Sequence, residues 1–308
     1  MRAVLIGAVE STRIALRCLG AAPGWDLAGV VTLPHTLAGR HSDFVDLESD
    51  AEAAGCPLLR IANTNAAEAL DAISVLKPDI LFVIGWSQLC GEALRGLVAN
   101  RVVGYHPAAL PRLRGRGVIP WTILMEEPIT ASTLFLIDEG TDSGPILAQR
   151  FFHVAPDETA MGLYNLHMDA LGAMMPPLLA EMAAGTSIPR EQDTRHATWA
   201  ARRRPEDGEI DWRGSTVDAW RLVRACGDPY PGAFTTLGEA RIIIAAAEPV
   251  DLSEHRAALP GQVVHRTGAG FTVRCGDGGG LRVRDWRWDR PDPPPLHAKL
   301  GSVIGGAR

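Results

Sequence analysis

Continuous apolar runs alternate with helical patterns in the first half of the chain, and this alternation restricts the fold more than any other feature. Four runs, RAVLIGAV, LAGVVTL, DILFVIGW and RVVGYHP, have few or no charged residues inside them. Such runs are typical of strands buried on both faces of a parallel sheet. Two further strand-like segments, ASTLFLID and ILAQRFFHV, follow. The sequence therefore predicts an α/β fold with a doubly wound, mostly parallel sheet.

Helical patterns occupy the connections between these runs. DFVDLESDAEAAG is predicted to be a helix that ends at Gly55, and AAEALDAISVLK one that ends before Pro78. Residues 159–185 carry apolar positions near helical spacing. Pro176 and Pro177 lie inside this stretch, and we expect them to bend or interrupt the helix because proline removes a backbone donor.

The composition changes after this helix. Residues 188–205 are polar and rich in arginine and proline, which predicts a linker between a first domain at 1–187 and a second at 206–308. The second part has short apolar segments separated by glycine, proline and aspartate. That pattern favours a smaller, β-rich, barrel-like domain of the OB type.

Composition and charge exclude several classes of protein. A formal net charge of −6 over 308 residues argues against non-specific nucleic-acid binding. The five cysteines form no CxxC pair, so neither a zinc site nor a disulfide framework is expected. No apolar run reaches the roughly 18 residues of a membrane span. We therefore expect a soluble cytoplasmic protein without a metal.

The loop after the first strand argues against a nicotinamide enzyme. Its sequence, GAVEST, contains neither G-x-G-x-x-G nor a P-loop pattern. Without those glycines the backbone cannot close on a pyrophosphate in the usual way.

His106 is the leading candidate for catalysis. It ends the strand RVVGYHP, and ligands of open α/β sheets bind beyond the carboxyl ends of the strands. Asp138, Glu139 and Asp142 follow another strand, in IDEGTDSGP. A histidine with a neighbouring carboxylate can act as a general base. The residues alone leave a second interpretation open, in which His106 is a turn residue beside a solvated acidic loop.

The motifs HPAALPRLRGR and DEGTDSG resemble the formyltransferase family that uses 10-formyltetrahydrofolate, which includes methionyl-tRNA formyltransferase and the amino-sugar N-formyltransferases. The segments PDILFVIGWSQLCGEAL and RRRPEDGEIDW are also similar to that family, so the resemblance covers most of the chain. It implies an enzyme that transfers a formyl group from N10-formyltetrahydrofolate to an amine, with His106 as general base and Asp142 as its partner.

The resemblance also assigns the folate pocket. Its implied cofactor-binding residues are Gln88, Leu89, Cys90, Arg116, Asp138, Glu139, Gly140 and Thr141. One position departs from the family pattern: an asparagine that donates to the developing oxyanion is replaced by Gly104. Losing one such donor typically costs about 10²–10³ in rate. The charged form of His106, a backbone N–H or a water are the candidate replacements.

The acceptor amine is left open by the sequence. From residue 206 onward there are 13 Lys and Arg against 14 Asp and Glu, whereas a tRNA-binding domain should be more basic. The segment RGRGVIPW and the loop GRHSDFVDL resemble the amino-sugar branch of the family, and with this charge balance they favour a nucleotide-linked amino sugar. Methionyl-tRNA and an N-hydroxyornithine-type amine are the alternatives. A folate-binding protein that has lost catalysis is a further alternative. The resemblance also suggests that the second domain forms a homodimer or binds a second nucleotide, and the sequence does not decide between the two.

Overall fold

The computed structural model describes residues 1–254 and 257–301, and it divides into two compact units. The first unit contains residues 1–118, 128–154 and 164–201. The second contains 119–127, 155–163 and the chain from 202 onward. Residues 255–256 and 302–308 of the predicted second domain lie outside the described residues. Each unit therefore contains segments that are not contiguous in the sequence, so a single linker cannot mark the boundary between the two units.

A seven-stranded sheet forms the centre of the first unit, in the order β3-β2-β1-β4-β5-β7-β8. The strands of this unit are β1 (Arg2–Ile6), β2 (Asp26–Thr32), β3 (Leu58–Arg60), β4 (Ile80–Val83), β5 (Val102–His106), β6 (Arg114–Gly115), β7 (Ile129–Leu136), β8 (Ile146–His153) and β9 (Trp199–Ala200). Strands β1 to β5 are parallel to one another. Strand β7 is antiparallel to both of its neighbours, β5 and β8. The expected mostly parallel sheet is confirmed. Strands β6 and β9 form a separate parallel pair.

Helices cover this sheet because its central strands are apolar on both faces. The helices of the described residues are α1 (Glu10–Ala21), α2 (Glu48–Ala53), α3 (Ala67–Val75), α4 (Glu92–Gly96), α5 (Val118–Leu124), α6 (Ala160–Ala183) and α7 (Thr216–Cys226). Helix α7 and most of α5 belong to the second unit. Short 3₁₀ turns occur at His35–Arg40, Thr194–His196 and Pro205–Gly208. One buried cluster joins α1 and α6 to one face of the sheet, and a second joins α3 and α4 to the other.

Helix α6 corrects the expectation that Pro176 and Pro177 interrupt it. The helix is continuous from Ala160 to Ala183 and contains both prolines. The prolines are exposed, whereas Met175 and Leu178 beside them are buried in the core. Burial of the flanking side chains therefore outweighs the hydrogen bonds that the two prolines cannot make.

The second unit is built on an antiparallel sheet, as the pattern of short segments predicted. Its strands are β10 (Ala233–Leu237), β11 (Ala240–Val250), β12 (Val263–Thr267), β13 (Gly270–Arg274) and β14 (Gly280–Arg287), in the order β10-β11-β14-β13-β12. Helix α7 packs on this sheet, and Val223, Phe271 and Leu281 belong to the shared core. Among the described residues, no helix has the length and hydropathy needed to cross a membrane.

The segment predicted as a linker, 188–205, carries structure along much of its length. Arg190 pairs with Ile146 as an isolated bridge, and β9 pairs with β6. The division between the two compact units falls between residues 201 and 202. Residues 188–201 therefore belong to the first unit, and this placement brings them close to the strand ends described next.

Candidate active site

His106 is the last residue of β5 and lies at the carboxyl end of the parallel strands. Its side chain is buried, and Nε2 lies 2.7 Å from the carbonyl oxygen of Leu113. Because a carbonyl oxygen can only accept, we assign the hydrogen of the neutral ring to Nε2. Nδ1 then carries the lone pair, so it is the nitrogen that can take up a proton.

Asp142 faces this nitrogen. Its Oδ2 atom lies 3.6 Å from Nδ1 of His106 and accepts a hydrogen bond of 2.8 Å from the backbone N–H of Gly115. The Gly115 bond fixes the carboxylate, and a carboxylate at this distance favours the charged form of the imidazole. The structure thus brings the two predicted catalytic residues together, in the arrangement of a base and the group that stabilises its protonated state.

The loop that carries Asp142 is organised from within by Asp138. The hydroxyl of Ser143 donates to Asp138 Oδ1 at 2.8 Å, and the N–H of Gly140 donates to the same oxygen at 3.0 Å. This carboxylate is therefore engaged in shaping the turn. Asp142 itself has a φ of +50°, a left-handed conformation that aspartate tolerates better than most residues.

Side chains from neighbouring elements hold the loop after β4 in place. Asn65 donates through Nδ2 to the carbonyl of Leu89 at 2.9 Å and accepts at Oδ1 from the N–H of Gly91 at 2.8 Å. Gln88 donates through Nε2 to the carbonyl of Ala62 at 2.7 Å. The backbone of this loop is consequently fixed before any ligand binds.

The two loops enclose one pocket of about 350 Å³. Eight predicted site residues line it: Gln88, Leu89, Cys90, Asp138, Glu139, Gly140, Thr141 and Asp142. Trp86 and Ile137 contribute apolar surface, and burial raises the pKa of the Cys90 thiol to about 11, so this thiol stays neutral. The pocket combines apolar walls with a polar rim, as small-molecule sites generally do.

Arg116 differs from the other predicted residues. It is exposed, it is not among the residues that line this pocket, and its guanidinium donates to the carbonyl of Ser87. Arg116 therefore contacts the loop after β4 at Ser87, between Trp86 and Gln88, which both line the pocket.

Gly104 also lines the pocket, and its surroundings explain why no side chain is present there. A Cβ atom at this position would lie 2.8 Å from Ile137 Cγ1 and 3.0 Å from the ring of Phe135. Gly104 pairs with Phe135 across β5 and β7. The side chains of β7 and the residue after it thus occupy the space that an asparagine would need.

Four groups of this site were missed by the sequence analysis. They are the carbonyl of Leu113, the N–H of Gly115, and the side chains of Asn65 and Gln192. Backbone groups give no residue-type signal, and Gln192 lies in the segment that was predicted to be a linker. Asn65, in the polar run ANTN between two helical patterns, gave no sign that it reaches the loop after β4.

Comparisons with known proteins place the chain among the formyl transferases. The family described as "Formyl transferase" matches residues 20–179, and "Formyl transferase, C-terminal domain" matches 203–293. A methionyl-tRNA formyltransferase of Marinobacter nauticus is 30% identical over 280 residues, which cover 90% of this chain and 89% of that protein.

Two solved structures share the fold at lower identity. An N-formyltransferase from Helicobacter canadensis, solved with folinic acid and dTDP-3-aminofucose, superposes with a TM-score of 0.67 at 15% identity, covering 92% of this chain and 98% of that chain. HypX from Aquifex aeolicus, solved with tetrahydrofolic acid, gives a TM-score of 0.66 at 17% identity. That match covers 94% of this chain and 44% of HypX, so the chain spans less than half of that protein.

Proposed function

Because the chain belongs to the formyl transferase family, we propose that it transfers a formyl group from N10-formyltetrahydrofolate to a primary amine, with a nucleotide-linked amino sugar as the acceptor. The observation that carries the proposal is the meeting of His106 Nδ1 and Asp142 Oδ2, 3.6 Å apart, at the strand ends beside a pocket. A histidine with a carboxylate partner is suited to deprotonate an attacking nitrogen.

His106 carries the proton transfer in this proposal. Nδ1 accepts the proton that the amine loses as its nitrogen bonds to the formyl carbon, and Asp142 stabilises the resulting imidazolium. Nε2 keeps its hydrogen bond to the carbonyl of Leu113 throughout, which holds the ring in one orientation. His106 then returns the proton to the departing nitrogen of the donor when the old bond breaks.

The charge on the formyl oxygen must be stabilised without an asparagine at position 104. Phe135 and Ile137 fill the space beside Gly104, so no side chain can be added there without movement. The imidazolium of His106 forms at the moment when the oxygen becomes negative. We assign the electrostatic stabilisation to this cation, since a fixed charge in a water-poor site acts strongly on a developing charge.

The pocket beside Asp142 fits the donor. It has about 350 Å³, and ligand pockets typically span about 300–1,000 Å³. Trp86, Phe135 and Ile137 offer apolar surface for a flat heterocycle, and the backbone of the loop at 138–142 offers polar groups at its edge. The donor supplies the activated one-carbon group, and the chain supplies the base and the binding surface.

Two observations support a nucleotide-linked amino sugar as the acceptor. The near-neutral balance of 13 basic and 14 acidic residues beyond position 205 does not favour the phosphate backbone of tRNA. The Helicobacter canadensis protein, which shares the fold, was solved with such a sugar, dTDP-3-aminofucose.

Methionyl-tRNA is the second candidate acceptor. It is favoured by the 30% identity to a methionyl-tRNA formyltransferase, which extends over 90% of this chain. An acceptor of this size would add contacts to phosphates, so its turnover should fall steeply as salt rises.

The test is a direct assay of acceptor use. The purified protein is incubated with N10-formyltetrahydrofolate and, separately, with dTDP-linked 3- and 4-amino sugars, methionyl-tRNA and N-hydroxyornithine, while release of tetrahydrofolate is followed. We expect turnover with an amino-sugar nucleotide, and mass spectrometry should show 28 Da added to the product, the mass of CO. Methionyl-tRNA should give less than a tenth of that kcat/KM.

A His106→Gln variant is the control for each acceptor, because it should bind the donor and fail to turn over. Formylation of methionyl-tRNA alone would overturn the sugar assignment and keep the reaction. Tight folate binding without turnover of any amine would instead favour a binding protein that has lost catalysis.

A further inference from the structure

Gln192 lies against the loop that carries Asp142 and has no part in the proposed proton transfer. Its side chain is 8% exposed. The Nε2 atom donates to two backbone carbonyls of the loop, that of Asp142 at 2.9 Å and that of Gly144 at 2.7 Å. One buried amide thus joins two points of the loop on either side of Ser143.

Arg114 fixes which way this amide points. Its guanidinium donates to Gln192 Oε1 through Nη2 at 2.7 Å and through Nε at 3.2 Å, and Arg114 is 5% exposed. A guanidinium only donates and a backbone carbonyl only accepts. The oxygen of the amide must therefore face Arg114, and its NH₂ group must face the loop. No flipped orientation satisfies both sets of partners.

We propose that Gln192 is a positioning residue that holds the Asp142 carboxylate against His106 by gripping the backbone of Asp142 and Gly144, with Arg114 holding Gln192. This inference rests on the proposed function, since it assigns the purpose of the grip to the His106–Asp142 pair.

The backbone conformation of Asp142 explains why the loop needs a hydrogen-bonding side chain to hold it. Its φ of +50° lies in the left-handed region, which a residue other than glycine keeps only when the surrounding structure imposes it. The carboxylate has a hydrogen bond from Gly115, which acts on the side chain. Gln192 acts on the main chain of the same residue. Together they determine where Oδ2 lies relative to Nδ1 of His106.

The adjacent Gly144 shows how closely the loop is packed on the other side. A Cβ atom there would lie 1.8 Å from the carbonyl oxygen of Leu136. The loop therefore cannot move towards Leu136, and Gln192 restrains it through its hydrogen bonds to the carbonyls of Asp142 and Gly144. A shift of about 1 Å between catalytic groups can cost about 10² in rate.

Gln192→Glu separates the effect of the two hydrogen bonds that Gln192 donates to the loop from the effect of its packing. Glutamate has nearly the same shape and pairs with Arg114, but an ionised carboxylate cannot donate to the two carbonyls. We expect folding to be retained and kcat to fall about 10- to 100-fold, with KM for the donor changed by less than about threefold. The matched control is Gln262→Glu, which alters an amide that accepts from the N–H of Leu259 in the second unit and should leave kcat unchanged.

A double-mutant cycle with Asp142→Asn gives the decisive measurement. If Gln192 acts through Asp142, Gln192→Glu should lower kcat little further once Asp142 is replaced. KM for the donor should stay within about threefold of wild type in both single variants while kcat falls, because each variant changes the proton transfer and not the binding of the donor.

Three results are distinguishable. Additive losses in the cycle, or a Gln192→Glu enzyme with unchanged kcat alongside an impaired Asp142→Asn enzyme, would overturn the positioning role and leave the proposed function standing. An Asp142→Asn enzyme with full activity would remove Asp142 from the proton transfer, and the positioning role of Gln192 with it, whereas a wild-type protein that formylates no amine would overturn the proposed function itself. Should Gln192→Glu fail to fold, Gln192→Met is the second variant, because it keeps the packing and removes both partners' hydrogen bonds.

Discussion

Tyr105 and His106 are neighbours on β5, and they lead into two polar clusters that behave differently. His106 faces the carboxylate of Asp142 beside the pocket. Tyr105 donates to the carbonyl of His167, a second histidine whose Nδ1 lies 2.8 Å from the hydroxyl of Ser132. Successive side chains of a strand point to opposite faces of its sheet. One strand thus separates two imidazoles into different surroundings.

The difference lies in what each imidazole has available to stabilise a positive charge. His167 is fully buried, packs edge-on against the ring of Phe152, and its Nε2 has no hydrogen-bond partner within the described part of the chain. Burial, and after it the charge of the nearby His106, lowers the pKa of His167 to about 3. His106 has the carboxylate of Asp142 within reach, whereas the ring of His167 contacts the hydroxyl of Ser132. Accordingly, we expect the proton transfer of the proposed reaction to take place on the side of β5 that faces Asp142.

The most severe test of this contrast is His106→Gln. Glutamine keeps a polar side chain of similar length and cannot accept the proton, so kcat should fall by about 10²–10⁴. Steady-state kinetics with the accepted amine measures the loss, and equilibrium binding of folate checks that the pocket is intact. A variant that retains a tenth of the wild-type kcat would show that another group is the base.

Asp142→Asn should have the next largest effect. The amide preserves the shape of the side chain and removes the charge that stabilises the imidazolium, so we expect kcat to fall by about 10². Steady-state kinetics with the accepted amine measures the loss. An Asp142→Asn variant with unchanged kcat would show that Asp142 takes no part in the proton transfer.

The sequence indicated His106 and Asp142 as a catalytic pair, which stays a prediction, and it missed the groups that hold the pair in place for a physical reason. His106 and Asp142 are reactive residue types in short motifs after strands, so their residue types and positions alone indicate a possible chemical role. Gln192 and Asn65 act by donating to backbone atoms far away along the chain, and any loop contains residues able to do this. Their partners become known only when the chain is folded.

The fold could be predicted further than the site. The apolar runs specify which segments are strands because burial on both faces leaves a simple signature. The antiparallel placement of β7 and β8 has no such signature, and neither has the attachment of residues 188–201 to the first unit. The continuity of α6 through Pro176 and Pro177 depends on the burial of their neighbours, which a local rule does not include.

Gly104→Ala sharpens the contrast on the His106 side of β5, because residues 104 and 106 point to the same face. The added methyl group meets Ile137 at 2.8 Å and Phe135 at 3.0 Å, so the free energy of unfolding should fall by about 1–3 kcal/mol. Urea denaturation measures this change. Gly39→Ala is the control, since no atom lies within 4 Å of its Cβ position, and it should change stability by less than about 0.5 kcal/mol. Equal losses in the two variants would mean that the space beside Gly104 is not filled.

The smallest effect is expected on the opposite side of β5, from His167→Leu. His167 has a pKa of about 3 when folded, against 6.5 for the free side chain. Between these values the unfolded chain binds a proton that the folded chain does not, so the wild-type protein loses stability as the pH falls below 6.5. Between pH 7 and 5.5 this one group should cost about 1 kcal/mol, and the leucine variant should lack that part of the decline. Urea denaturation of both proteins at the two pH values gives the difference.

Activity of the His167→Leu variant at pH 7 should stay within about threefold of wild type, because an imidazole that remains neutral takes no part in the proton transfer. A parallel decline in both proteins would show that His167 takes up a proton when folded, and the two faces of β5 would then be less different than their partners indicate.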